Sequence, residues 1–247
     1  MFPYRDENPT VLTPFVTVSV IVANLVVWVL VQDAGTFPGL ARSVCELGLI
    51  PGDLTGRAAE GSQVPIGPGL VCVISGGAAW HTPITSMFMH AGWFHLIGNM
   101  WFLWIFGNNI EDSMGHARFL LFYLIAGLVA AAAQTAMSPA STVPMVGASG
   151  AISGVMGAYL VLYPRVKIHT LIFLGFFITT IAVPAYFMLV YWALLQAVGS
   201  LGGTDGGGVA FGAHLGGFLA GVVLIRFFAK REFVSRHARS IVVSQLP

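Results

Sequence analysis

The chain has 247 residues, of which 56% are hydrophobic and only 9% charged, with a formal net charge of +1 and a mean hydropathy of +0.83. A soluble domain carries roughly a quarter charged residues to wet its surface, so this composition excludes a water-exposed globule and indicates a membrane protein. The near-zero net charge, with no basic domain, excludes nucleic acid as a partner.

Residues 1–13 carry Asp6 and Glu7 rather than a basic stretch, and no small-residue cleavage site follows the first apolar run. No cleavable signal peptide is expected, and the first helix reads as a retained anchor. At about 20 residues per span, the apolar runs predict six transmembrane helices near 15–31, 93–110, 119–137, 145–163, 183–198 and 209–228. The expected fold is an all-α polytopic bundle forming a single domain over 1–247. A long external loop (32–92) follows the first span, and a basic cytoplasmic tail (229–247) follows the last. The stretch 168–198 is too short for two spans and too long for one. Pro184 divides it, which predicts a span from 183 and a partly inserted, tilted lead-in over 168–182.

Lys and Arg near span ends collect on the cytoplasmic side. With six spans and both termini inside, Arg5, Arg118, Arg165, Lys167, Arg226, Lys230, Arg231, Arg236 and Arg239 lie inside, and only Arg42 and Arg57 lie outside. The second, fourth and sixth spans then all start at the external face. Polar residues concentrate at those starts.

The second span opens with His90, His95 and Asn99, the last two one turn apart on one helical face. The fourth opens with Gly147-Ala-Ser149-Gly150, and the sixth carries His214, Gly217 and Gly221 at i, i+3 and i+7. Taken singly, Ser149 in a Gly/Ala run reads more readily as packing and Asn99 as a structural bridge, while His214 reads equally well as a helix-to-helix hydrogen bonder. Together at one depth they form a constellation suited to acyl transfer. A serine hydroxyl is a weak nucleophile that an imidazole activates by taking its proton, which fits Ser149 and His214. Gly147 and Gly150 allow close backbone approach where a helix begins and leaves unpaired N–H groups. His95 and Asn99 add side-chain donors for an oxyanion.

These motifs resemble the rhomboid family of intramembrane serine proteases. Gly147-Ala-Ser149-Gly150 is similar to its Gly-x-Ser-Gly nucleophile motif, the run from Ala213 to Gly221 to its catalytic-histidine helix, and His90, His95 and Asn99 to its second-helix pattern. Glu111, Gly115 and the Arg5–Thr10 segment are similar to bacterial members. The resemblance implies a Ser149–His214 dyad without a third acid, with His95, Asn99 and the Ser149 backbone N–H as the oxyanion site. It leaves Gly147, Gly150, Gly217, Gly221 and His90 for support and packing. Some members stack a tyrosine, four residues after the nucleophile, on the histidine, where this chain has Ser153; some carry a Trp-Arg pair in the first external loop, which this one lacks.

The reading is therefore a serine endopeptidase that cleaves transmembrane segments of other proteins near their external ends, in a bacterial inner membrane, with the lipid bilayer as its other partner. A non-catalytic client-binding protein or a small-solute transporter is the competing class. No cofactor is expected, and no metal, because no His-Glu-x-x-His helix occurs. In the fifth span Tyr186, Phe187, Tyr191 and Trp192 read as a side wall against the second. Within loop 32–92, the apolar stretch of Pro65, Ile66, Pro68, Val71, Val73 and Ile74 reads as membrane-surface contact or as a self-buried cap. Cys45 and Cys72 read as a disulfide or as two free thiols.

Overall fold

The chain begins as a strand, β1 (Phe2–Asp6), and passes at Pro14 into α1 (Phe15–Leu30). No side chain of its own caps α1. The carboxylate of Glu111, far along the sequence, accepts from the backbone N–H groups of Val16 (2.9 Å) and Thr17 (2.8 Å) and from the Thr17 hydroxyl (2.7 Å). A negative charge at the open amides of a helix start also meets its dipole favourably. Thr17, Val20, Asn24 and Trp28 form the buried stripe of α1, while Val18, Val22, Leu25 and Val29 point outward. The structure, a computed structural model, describes residues 2–67, 70–74, 76, 79–174, 177–201 and 209–235.

The segment expected as an external loop is structured. It contains α2 (Gly39–Leu47), the short α3 (Pro51–Leu54), an antiparallel pair β2 (Gln63–Gly67) and β3 (Leu70–Val73), and a single turn, α4 (Thr82–Thr85). Ile50, Cys72 and Ile74 form a small core with Cys45, Ala58, Val64 and Ile66 packed against it. Cys45 and Cys72 are joined in a disulfide. Of the apolar stretch, Ile74 faces this core and Val71 and Val73 face outward, as strand alternation dictates; Pro68 lies outside the described residues. Gln32 pins the two ends of the segment together: its Nε2 donates to the His90 carbonyl and its Oε1 accepts the His90 N–H, both at 2.8 Å.

Two long helices follow, α5 (Trp93–Met114) and α6 (His116–Met137), then α7 (Ser149–Leu162). The helix α7 is shorter than the 145–163 expected as a fourth span, because Gly147 takes a φ of +123° and its N–H bonds to Ser86 O (2.9 Å) instead of entering a helical ladder. Of residues 168–182, expected as a tilted lead-in, 168–174 and 177–182 lie in strands, and 175–176 lie outside the described residues. β4 (Lys167–Leu174) pairs antiparallel with β5 (Phe177–Pro184) and with β1, in the order β1-β4-β5. The bundle is thus not all helix. The physical reason is a run rich in Ile, Thr, Val and Phe, residues that lose side-chain freedom in a helix and fit a pleated surface. α8 (Ala185–Leu201) and α9 (Phe211–Phe228) follow. Much of the basic tail, including Arg236 and Arg239, lies outside the described residues.

Among the described residues, α6 and α9 are long and apolar enough to cross a membrane by length and composition, and α1, α7 and α8 are shorter apolar helices. α7 is the central element. Gly150, Gly154 and Gly157 line it, and a Cβ at Gly154 would meet Gly217 O of α9 at 3.2 Å. A Cβ at Gly217 would collide with the carbonyl of Gly150, and one at Gly221 with that of Gly154. Small residues spaced by about a turn on both helices let the backbones touch. At the opposite end of the bundle from Ser149, Asp6 of β1 accepts from the Tyr159 hydroxyl (2.6 Å) and Asn109 Nδ2 (2.9 Å), holding the N-terminal strand against α5 and α7.

Candidate active site

Ser149 is the first residue of α7. The first helical bond of this turn runs from the Ile152 N–H to Ala148 O (3.0 Å), so the amides of Ser149, Gly150 and Ala151 lie ahead of the ladder and remain available to a ligand. Ser153, one turn on, donates its hydroxyl to Ser149 O (2.6 Å). It ties down the turn that carries Ser149 and does not stack on a ring.

The α7–α9 contact sets the distance between the two helices, and with it the reach of His214. Its Nε2 lies 2.8 Å from Ser149 Oγ. The start of α9 is fixed from α6, where Gln134 Oε1 accepts the Ala213 N–H (3.1 Å). On its other edge the His214 ring places Nδ1 2.8 Å from Gln196 Oε1 of α8. A carbonyl oxygen only accepts, so Nδ1 carries the proton of the neutral ring. Nε2 is then the lone-pair nitrogen and accepts from the Ser149 hydroxyl. Trp192, one turn before Gln196, lies beside the ring with centroids 5.9 Å apart.

His95 and Asn99 converge on Gly147. A Cβ at Gly147 would stand 2.7 Å from His95 Nε2 and 3.4 Å from Asn99 Nδ2. Only a glycine holds this backbone at positive φ and leaves that space open. The tautomer of His95 follows from its other nitrogen: Ala91 N–H donates to Nδ1 (3.4 Å), so the proton sits on Nε2, facing Gly147. Asn99 Nδ2 is buried and has no hydrogen-bond partner among the described residues. A buried donor without a partner costs free energy unless a ligand supplies the acceptor. Ser149, His214, His95, Asn99 and Gly147 all line one cavity of about 530 Å³. Val44 and Pro51 of the disulfide-closed segment and Met145 of the loop before α7 also line it.

His90 does not reach Ser149. It is fully buried beneath His95, with ring centroids 5.2 Å apart at 71°. Burial, with the nearby His95 adding to it, pushes its imidazole down to about 3, so it packs as a neutral ring. Gly217 and Gly221 lie at the α7–α9 contact rather than in the site, whereas Gly150, whose carbonyl meets Gly217, also lines the cavity. Two neighbours of His214 were not anticipated from sequence, Gln196 and Trp192 of α8. Gln196 carried a usable signal, being a polar side chain inside an apolar helix.

A glycine at positive φ, a serine at a helix start, an imidazole bonded to it and two converging side-chain donors meet in one cavity of a helical bundle. Residues 77–231, well over half the chain, match the family model of the Rhomboid domain. The chain belongs to the rhomboid family, whose members are helical, multi-pass membrane proteins and include serine proteases. It is 34% identical over 160 residues to Rhomboid-like protein 11, chloroplastic, of Arabidopsis thaliana, covering 62% of this chain and 54% of that one. To Rhomboid protease GluP of Bacillus subtilis it is 42% identical over 81 residues, 33% of this chain and 15% of the relative. To Rhomboid protein 1, mitochondrial, of Saccharomyces cerevisiae it is 32% identical over 165 residues, 63% and 44%. The chain thus spans about half, or less, of the length of these relatives.

Proposed function

We propose that this chain is an intramembrane serine endopeptidase that cuts transmembrane segments of other proteins near their external ends. The observation that carries the reading is the 2.8 Å approach of His214 Nε2 to Ser149 Oγ, with the lone pair of Nε2 facing the hydroxyl. In this mechanism Ser149 Oγ attacks the scissile carbonyl while its proton passes to His214 Nε2. The charge that develops on the carbonyl oxygen is met by His95 Nε2–H, Asn99 Nδ2–H and the Ser149 backbone N–H. His214 then gives its proton to the departing amine, leaving an ester on Ser149. Water, deprotonated by the same imidazole, hydrolyses that ester and releases the new carboxylate.

The proposed spans are α1, α5, α6, α7, α8 and α9, with both termini cytoplasmic. α7, with 14 residues, is about 21 Å long, against a hydrocarbon thickness of about 30 Å. With its C-terminal end at the cytoplasmic face, Ser149 sits roughly 9 Å below the external surface. The loop before it is irregular backbone at membrane depth, which lipid tolerates only beside a water-filled cavity or within protein. The cavity of about 530 Å³ meets that need and supplies the water for deacylation. A substrate helix hides its carbonyls in its own hydrogen bonds, so local unwinding must precede attack. The proposed location is a bacterial inner membrane, on the likeness to the two Bacillus subtilis relatives. Organelle membranes are the alternative that the chloroplastic and mitochondrial relatives raise.

The test is labelling with a fluorophosphonate probe in detergent, comparing wild type with Ser149→Ala and His214→Ala. The expected result is labelling of wild type alone. Equal labelling of wild type and Ser149→Ala ends the protease reading and favours a client-binding role.

A further inference from the structure

We infer that Gln196 is the positioning residue of this dyad, a neutral third member that fixes the tautomer and the rotation of His214. The inference rests on the protease reading for its consequence in catalysis, though not for its geometry. A dyad without an acid has a specific weakness. An imidazole whose Nδ1 has no partner distributes its proton between both nitrogens, and in the Nε2–H form it offers Ser149 a donor where a base is needed. Its ring is also free to turn about the Cβ–Cγ bond. Both weaknesses are removed by one acceptor at Nδ1, and the Oε1 of Gln196 stands there at 2.8 Å.

The placement is built into α8 by helical spacing. Trp192, Gln196 and Gly199 lie at i, i+4 and i+7, one stripe directed at α9. Trp192 packs beside the His214 ring and also lies 5.9 Å from Phe218. Gly199 is occupied from outside: a Cβ there would stand 2.5 Å from Cε1 of Phe211, one turn below His214. The aromatic contact and the glycine notch fix the register of α8 on α9, and Gln196 lies between them. The remaining groups around the ring are Ser149 on α7 and the cavity wall, which includes His95 of α5. Among the described residues no Asp or Glu lies on α7, α8 or α9. Arg226 of α9 and Arg118 of α6 lie at the opposite end of the bundle.

An amide suits this position better than a carboxylate would. A carboxylate in a membrane bundle brings a large desolvation cost and stabilises the imidazolium, which raises the pH at which the base becomes available. An amide oxygen accepts the Nδ1 proton without adding charge. The cost is weaker stabilisation of the imidazolium that forms as Ser149 attacks. Substitution at Gln196 should therefore change kcat and its pH dependence, leaving KM nearly unchanged.

Three variants in lipid vesicles carry the test: Gln196→Leu and Gln196→Met, which remove the acceptor at similar volume, and Gln196→Glu, which restores an acceptor with charge. Cleavage of a transmembrane substrate is read as kcat and KM across pH, and the proton position on His214 by 15N NMR in the Ser149→Ala background. Expected are a fall in kcat of roughly 10- to 100-fold for both apolar variants, part of the 10²–10⁴ that a general base contributes, with KM unchanged. Gln196→Glu recovers most of the rate and moves the acid limb of the kcat profile to higher pH. The NMR signal shows Nδ1–H when Gln196 is intact and a mixture of tautomers in Gln196→Leu. Wild-type kcat in Gln196→Leu, or an equal loss in all three variants with the acid limb unmoved, overturns the inference and leaves Gln196 as packing. An unlabelled wild type sinks the protease reading by itself, while the tautomer measurement still decides what Gln196 does to the ring.

Discussion

Gly147→Ala is the sharpest perturbation of the site because it adds one methyl group and removes nothing. Gly147 holds a φ of +123°, which an L side chain reaches only at a cost of about 1–3 kcal/mol. The new Cβ would stand 2.7 Å from His95 Nε2 and 2.8 Å from Cε1, whereas ordinary contact begins near 3.4 Å, so the imidazole must retreat by about 0.7 Å. That retreat moves the Nε2–H away from the oxyanion position. Displacements of about 1 Å cost on the order of 10²-fold, and loss of one oxyanion donor roughly 10²–10³-fold, or about 2.7–4 kcal/mol. The expected result is a fall of that size in kcat/KM on a reconstituted transmembrane substrate, with a modest drop in melting temperature. Gly61→Ala separates strain from displacement, since Gly61 has a φ of +76° and nothing within 4 Å of its Cβ position. It should lose some stability and no activity. A Gly147→Ala protein that cleaves within twofold of wild type would refute the placement of His95 as an oxyanion donor.

Other consequences are open to measurement. Gly217→Val drives a branched side chain into the carbonyl of Gly150 and should separate α9 from α7, lowering stability by about 1–3 kcal/mol and turnover by more than tenfold without touching Ser149 or His214; normal turnover in a folded variant would contradict that contact. Glu111→Ala strips three hydrogen bonds from the start of α1 and should cost about 3 kcal/mol in a denaturation midpoint, where Glu111→Gln costs less; equal midpoints for wild type and Glu111→Ala would dismiss the cap. His90 gives a pH dependence with a definite sign. Its folded value of about 3 lies below the ordinary 6.5, so the unfolded chain binds the proton first and stability falls as pH drops from 6.5 towards 3, by up to about 1.4 kcal/mol per pH unit. Melting curves of wild type and His90→Asn between pH 7.5 and 4.5 should diverge in that window, and parallel curves would rule out the buried neutral ring.

The sequence by itself determined the solvent and the ingredients. A chain with 9% charge must place most of its surface in lipid, and the few polar residues left in its apolar runs then mark the candidate site. Ser149, His214, His95 and Asn99 were legible for that reason, and helical periodicity put His95 and Asn99 on one face. The same periodicity could not reveal that 168–174 and 177–182 pair as antiparallel strands, because β-branched apolar runs of that length satisfy a buried strand and a membrane helix equally well. Its partner β1 lies more than 150 residues away, and such a pairing has no local signature. Gln196 was visible as a polar exception in α8, yet its role depends on the rotation of α8 against α9, which the Trp192–His214 contact and the Gly199 notch decide. Only the tertiary structure fixes which nitrogen of each imidazole carries its proton, since that is set by the acceptor or donor on the ring's far side: Gln196 for His214 and the Ala91 N–H for His95.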